Sequence, residues 1–356
     1  MPKATALKGL PSVSIVLVNW HGAEDTVACL RSLASMDAAG ACVSVVVVDN
    51  ASTDDSVAVI ATALTGTGYV ERATMYPLAT TSLESAVWFD APEPGSALRA
   101  VALARTRENL GFAAGNNIGY RLSQEAEPEL DFVWLLNNDT EVRPDCLTHF
   151  LAKMVAAPDV GMCGCTIVDF DEPETIQCAG GVRYSPLTGR GRLIGAGMPL
   201  AQGPSEVTAE ASTDYLNGAS MFLRCSHVDT IGLMAEDYFL YNEEVDWAWR
   251  ARGHFRLGVA SRAIVLHKEG ATIGTATARR RASALANFFQ TRSKLIFARR
   301  FTPWFLPTVW LTLLARFGKQ YLQGDRHKSV IILQVLLGRR RPNQEWFHRR
   351  DSGATR

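Results

Sequence analysis

Short apolar runs alternate with stretches of helical period through the first 140 residues. Val13-Ser14-Ile15-Val16-Leu17-Val18 is a β-branched run, and a helix-like stretch follows over residues 24–36. Residues 43–48 read as a second buried strand ending at Asp49, with a helix from the Ser52/Thr53/Asp54 cap signals to about Leu64. Residues 66–97, with Pro77, Pro92 and Pro94, have weak periodicity and read as a loop-rich insertion. Regularity returns with a strand over 100–106, a helix start over 115–123 and an apolar strand over 132–136 that ends at Asn137-Asn138-Asp139. This alternation predicts an α/β fold, a Rossmann-like, mostly parallel sheet flanked by helices. Residues 159–267 mix short strands with Gly-rich turns and one helix over 243–252, stopped by Gly253. From Ala282 onward the chain reads as apolar helix with interspersed Arg. The pattern divides the chain at about 280, with the larger part splitting near 140 and a helical region over 281–356.

Composition changes this picture little. The 356 residues are 47% hydrophobic and 20% charged, as suits a globular core, and 36 Lys plus Arg balance 36 Asp plus Glu. That balance argues against a nucleic-acid partner. It conceals a basic C-terminal region, with Arg279-Arg280-Arg281, Arg299-Arg300, Arg339-Arg340-Arg341 and Arg349-Arg350, which suggests an anionic surface as partner. The seven cysteines fit no zinc or redox spacing and read as reduced, mostly buried thiols. With no long apolar segment near the N-terminus, the expected location is cytoplasmic. Residues 304–314, broken by Pro307, are shorter than the roughly 20 residues a membrane crossing needs. Trp304, Phe305, Trp310 and Phe317 beside Arg299, Arg300, Arg316 and Lys319 suit either a helix lying on the inner membrane face or ordinary helix packing.

In open α/β sheets ligands gather beyond the carboxyl ends of strands. Here those positions hold Asn19, Asp49, Asn109 and Asp139. Asp49 can accept the imide N–H of a pyrimidine ring, while Ser52 or Asp54 serves as helix cap. The segment from Glu108 to Asn117 joins strand to helix with Gly111 and Gly115, which let backbone approach a ligand, and with Asn109, Asn116 and Asn117, whose amides can hold ribose or sugar hydroxyls. Asn137-Asn138-Asp139 places one carboxylate where a hard cation bridging two phosphates would sit. Glu243-Glu244-Val245-Asp246 packs three acids into one turn behind Tyr238-Phe239-Leu240-Tyr241. The helix dipole accounts for part of that acidity, and Asp246 can pair with Arg250. Glu243 or Glu244, under aromatic cover, can have the raised pKa of a general base. His267 closes another apolar run.

Taken in order, these segments over about residues 12–300 resemble the family 2 inverting glycosyltransferases of the GT-A fold, particularly the bacterial rhamnosyltransferase-like branch. The resemblance implies that residues 12–140 hold a dTDP- or UDP-sugar and 141–280 the acceptor, within one catalytic domain. It implies Asp49 as the base-recognising acid and Asn19, Asn109, Gly111, Asn116, Asn117 and Asn138 around the donor. Asn137 and Asp139 fall at the outer positions of the metal motif, His267 at the late ligand for Mg²⁺ or Mn²⁺, and Glu244 at the catalytic base. Asn217-Gly218-Ala219 resembles the turn lining the acceptor side, where Asp246 is also expected, and Asn287 to Arg292 resembles the post-catalytic helix. The implied reaction moves a sugar, L-rhamnose in this branch, to a glycan or lipid-linked glycan of the cell surface. Four departures stand out: Asn137 for Asp, Glu244 for the more usual Asp, Ala235 where Asp is common, and a segment from Gly66 to Ala97 longer than expected. A sugar-phosphate nucleotidyltransferase would carry a Gly-rich basic loop after the first strand, where this chain has Asn19-Trp20-His21-Gly22. A noncatalytic sugar-nucleotide-binding relative is the other alternative, and the joint presence of Asp139, Glu244 and His267 argues against it.

Overall fold

Ile15 and Leu17 face one apolar cluster and Val16 another, so the first strand is buried on both faces, as a parallel strand covered by helices must be. The structure, a computed structural model, describes residues 9–72, 82–93, 96–268 and 283–343. Arg279, Arg280, Arg281, Arg349, Arg350, Pro77 and Pro94 lie outside them. The first half runs β1 (Ser12–Asn19), α1 (Ala23–Ala34), β2 (Cys42–Asp49), α2 (Ser56–Gly66), β3 (Val70–Glu71), β4 (Leu83–Asp90), β5 (Ala100–Thr106), α3 (Gly111–Ala126), β6 (Phe132–Asn137), β7 (Thr140–Val142) and α4 (Cys146–Ala156). There follow β8 (Val160–Asp169), β9 (Ile176–Ala179), β10 (Gly181–Ser185), β11 (Arg190–Leu193), α5 (Glu206–Ser212), β12 (Tyr215–Leu216), β13 (Ser220–Arg224), α6 (Cys225–Ile231), α7 (Glu243–Ala251) and β14 (Arg256–His267). The chain continues through α8 (Ala284–Phe301), α9 (Leu306–Leu322) and α10 (Arg326–Leu336).

Among the described residues the main sheet runs β3-β4-β5-β2-β1-β6-β13-β8-β14-β7, with β9 paired to β8. The pairs β5–β2, β2–β1, β1–β6 and β8–β14 are parallel, and β13 is inserted antiparallel between β6 and β8. Strands from both sequence halves thus share one sheet. A smaller antiparallel sheet, β11-β10-β12, stands apart from it. Helices α1 and α4 cover one face through Leu30, Leu33, Leu147 and Phe150; α3, α6 and α7 cover the other through Tyr120, Val228 and Trp247. Gly115 and Gly119 bring α3 onto β1: a Cβ on either would meet the Val18 or Val16 side chain at 2.9 or 2.3 Å. All seven cysteines are free thiols, six of them buried.

The structure departs from the sequence reading in four places. Residues 83–90 are a strand, β4, antiparallel to β5, rather than part of a loop-rich insertion. A register shift between Leu83 and Ser85 breaks the two-residue alternation that would have revealed it. The 159–267 region holds three helices, since the seven-residue α5 and α6 are too short to display a helical period. Helix α3 begins at Gly111, four residues before the helix start read at 115. Pro307 sits in the first turn of α9, where its missing N–H costs nothing, and starts that helix rather than breaking it. No helix among the described residues is long and apolar enough to cross a membrane.

Candidate active site

The carboxyl ends of β1, β2 and β6 are tied together by buried polar side chains. Asn19 Nδ2 donates to Asp49 Oδ2 at 2.7 Å, and the backbone N–H of Ser52 donates to Asp49 Oδ1 at 2.9 Å. Asn19 Oδ1 accepts from Thr26 Oγ1 at 2.9 Å and from Asn138 Nδ2 at 3.3 Å. Asp49 and Asn19 are fully enclosed by these partners and do not line the cavity that opens above them. The neighbouring Asn50 does line it. Its amide spans Asn109 Oδ1 (3.1 Å), the Gly111 carbonyl (3.0 Å) and the Leu110 N–H (3.0 Å), and so fixes the loop from β5 to α3. Gly111, at φ +84°, is required there because a Cβ would stand 2.2 Å from the Phe239 carbonyl oxygen. Asn116 donates to the Phe112 carbonyl, and Asn117 donates to the Met234 carbonyl and Glu236 Oε1. Both are buried helix residues directed away from the cavity, as their position within α3 dictates.

The cavity, about 490 Å³, receives Asn137, Asn138, Asp139 and His267. Asp139 follows β6 and His267 ends β14; the sheet brings them together because Thr140 on β7 pairs with His267. His267 Nε2 lies 3.3 Å from Asp139 Oδ1, and Nδ1 lies 3.0 Å from Gln177 Oε1. Gln177 also donates to the His267 carbonyl at 2.7 Å, which fixes the ring and directs Nε2 to the carboxylate. Two ligands on one small cation stand about 3 Å apart when each is roughly 2.1 Å from it. The donor set, one carboxylate oxygen and one imidazole nitrogen, therefore fits a divalent cation that takes its other ligands from water and phosphate. Among the described residues no cluster of three or more His, Cys, Asp and Glu is arranged to hold a metal. The protein's share of such a site is small.

Glu243 and Glu244 open α7, behind Phe239, Tyr241 and Asn242, three non-glycine residues at φ 67°, 67° and 72°. Such conformations are uncommon, and here they cluster in one cavity wall. Glu243 is buried, and burial together with the neighbouring Glu244 raises its carboxyl well above the usual range. Its Oε2 has no hydrogen-bond partner among the described residues, as a group held protonated away from water can tolerate. Glu244 is half-buried and faces the cavity, and desolvation pushes it up to about 7. It rests on Gly218, where a Cβ would be 2.3 Å from its Oε1. Gly218 and Ala219 both line the cavity. Asp246 does not: it is fully buried, accepting from Tyr238 Oη (3.0 Å), Arg250 Nε (2.6 Å) and Arg300 Nη1 (2.7 Å), and it clamps α7 to α8.

Several wall residues are not among the candidate site residues read from sequence. Tyr184 and Tyr215 come from the small sheet, and Gln290 and Lys294 from α8, which the sequence division at 280 assigns to a separate region. Gln290 falls in the Asn287 to Arg292 segment, but helical period says nothing of which face meets the site, and no signal marks Tyr184, Tyr215 or Lys294.

A mostly parallel sheet with a carboxylate and a histidine at its carboxyl edge, facing a carboxyl group raised to about 7, is laid out as in the GT-A fold. Residues 96–194 match the family model described as "Glycosyl transferase family 2". A mannosyltransferase from Pyrobaculum calidifontis, solved with GDP-Man and Mn²⁺, is similar in structure at TM-score 0.52 and 13% identity, over 95% of this chain and 89% of that one. GalNAc-T7, solved with UDP, GalNAc and Mn²⁺, is similar at TM-score 0.52 and 11% identity, over 80% of this chain and 47% of that one. No curated protein sequence matches the chain.

Proposed function

We propose that the protein transfers a sugar with inversion from a nucleotide-sugar donor to an acceptor hydroxyl, with Glu244 as the base. The observation that carries this reading is the Glu244 carboxyl raised to about 7, in one cavity with the Asp139–His267 pair. A carboxylate titrating near neutrality is ionised enough to act and basic enough to take a proton from the attacking hydroxyl. Asp139 and His267, oriented by Gln177, would hold a divalent cation, Mg²⁺ or Mn²⁺; bound there it would neutralise charge on the departing nucleoside diphosphate. Asn50 and Asn109 face the donor, while Asp49 and Asn19 set the loops beneath it. The two similar solved structures carry GDP-Man and UDP, each with Mn²⁺, which supports a nucleotide sugar and a divalent cation as class. The choice of dTDP or UDP rests on Asp49 as an acid suited to a pyrimidine imide, L-rhamnose on the family resemblance, and a lipid-linked acceptor at the inner face of a membrane on the basic, aromatic C-terminal region.

Glu244→Gln tests the assignment. Turnover is expected to fall by roughly 10²- to 10⁴-fold with the donor-induced rise in melting temperature intact; near wild-type turnover would remove Glu244 from its role. Excess chelator is expected to abolish transfer and Mn²⁺ to restore it, whereas full activity in chelator would discard the cation. Screening nucleotide sugars for thermal shift, with and without Mn²⁺, identifies the donor.

A further inference from the structure

Among the described residues Lys294, on α8, is the only lysine or arginine that lines the cavity. Its aliphatic stem packs on the turn before β11: a Cβ on Gly189 would stand 3.6 Å from the Cβ, Cγ and Cδ of the lysine. The side chain is half-buried, and among the described residues its ammonium has neither an ion pair nor a hydrogen bond. Burial, then the charges of Arg316 and Arg190, push it down to about 8. An unpaired cation in a half-buried wall is stabilised by an anion brought to it. Gln290, one turn earlier on α8, lines the same cavity; its Oε1 accepts from Arg316 Nη2 at 3.1 Å, which leaves its amide N–H groups for a ligand. Tyr215 lines the cavity from β12, with its hydroxyl over Gly191, where a Cβ would be 2.3 Å away, and its ring edge-on to Tyr184 at 6.1 Å.

We propose that Lys294, with Gln290 and Tyr215, binds the carboxylate of an acidic sugar at the end of the acceptor. This rests on the glycosyl-transfer reading, in which the donor diphosphate lies with the cation at Asp139 and His267. The Lys294 wall adjoins the base, since Tyr215 stands three residues before Gly218, on which Glu244 rests. It lies away from the cation pair. The far end of β11 meets β9, the strand of Gln177, where the Ala179 N–H donates to the Ile194 carbonyl at 2.8 Å. Ile194 is five residues from Gly189, or roughly 15 Å of extended chain. One ammonium beside an amide and a phenol matches a monoanion; a phosphate calls for a second cation, and no other lysine or arginine lines the cavity among the described residues. The apolar body of Tyr215 suits the C–H face of a sugar ring, and a ring held there with its carboxylate on Lys294 presents a hydroxyl toward Glu244.

The test uses the full chain with Lys294→Met, which keeps the stem on Gly189 and removes the charge, and with Lys294→Gln, each checked for an unchanged melting temperature. Affinities for the methyl uronides of glucose, galactose and mannose are measured by NMR titration with UDP and Mg²⁺ saturating. The matching neutral methyl glycosides and hexose 6-phosphates are titrated alongside, and UDP affinity is measured separately. Wild type is expected to bind at least one uronide about 10-fold or more tightly than its neutral and its phosphorylated partner. Both variants are expected to lose that preference and to keep their UDP affinity. A preference that survives in both variants, or none in wild type, would overturn the proposal, and tighter binding of a sugar phosphate would overturn the carboxylate. A parallel loss of UDP affinity would assign Lys294 to the donor and overturn it as well. Donor hydrolysis by the same wild-type preparation is a separate readout: its absence with the uronide preference retained counts against glycosyl transfer and not against the carboxylate site.

Discussion

Gly218 shows how a single missing methyl group can set catalysis. Its bare Cα lets the Glu244 carboxyl settle against the turn before β13, and Gly218→Ala would place a Cβ 2.3 Å from Oε1. The carboxyl must then move, and misplacement of a base on this scale is expected to lower kcat by about 10-fold or more while donor binding is retained. Steady-state kinetics beside a thermal-shift titration separates the two. At the same site, kcat/KM is expected to rise with pH through about 7 as Glu244 ionises. Glu243→Gln is expected to leave that midpoint in place: Glu243 is held protonated by burial, so replacing it removes no negative charge near Glu244. A midpoint displaced by a full unit in this variant would mean the two carboxyls share a proton.

At the scale of elements, the Asp246 clamp decides where α7 sits. One buried carboxylate holds Arg250 on its own helix, Arg300 on α8 and Tyr238 ahead of both. Asp246→Ala strands those donors and is expected to destabilise the fold by roughly 3 kcal/mol, read from urea denaturation. The Asp246–Arg250 pair was legible from spacing alone, as were β1, β2, β5 and β6. The reach of Arg300 was not, because nothing in a helical period says which neighbour a basic face will meet. The same limit applies to the strand ends. Sequence marks Asn19, Asp49 and Asn109 as polar, but only the three-dimensional network shows Asp49 enclosed by Asn19 and Ser52 while Asn50 turns to the cavity. Asn116 and Asn117 lie within the helical stretch already legible at 115–123, but only the packing of α3 shows their amides turned to the Phe112 and Met234 carbonyls instead of the cavity.

Across the whole molecule, enclosing acids has a cost that depends on pH. Glu244 has a folded-state pKa of about 7 against an ordinary value of 4.5. The folded state therefore holds more protons than the unfolded chain between these values, and this group's contribution to stability is full below about 4.5 and lost as pH rises through 7. The shift corresponds to at most about 3 kcal/mol. Compared with Glu244→Gln, wild type is expected to lose melting temperature between pH 5 and 8; parallel curves would mean that Glu244 is not desolvated. The Asp139–His267 contact also carries a consequence for how the chain is made. Its halves lie far apart in sequence, Asp139 just before β7 and His267 at the end of β14, and they meet only when β14 finds register with β7. Closing so long a loop costs entropy before any contact forms, so this pairing belongs to the slow, late part of folding. A nascent chain holds Asp139 well before its histidine is synthesised, and a cation with the proposed ligands could be captured only after the sheet is complete. Protection from proteolysis by Mn²⁺ would then time the last strand's arrival.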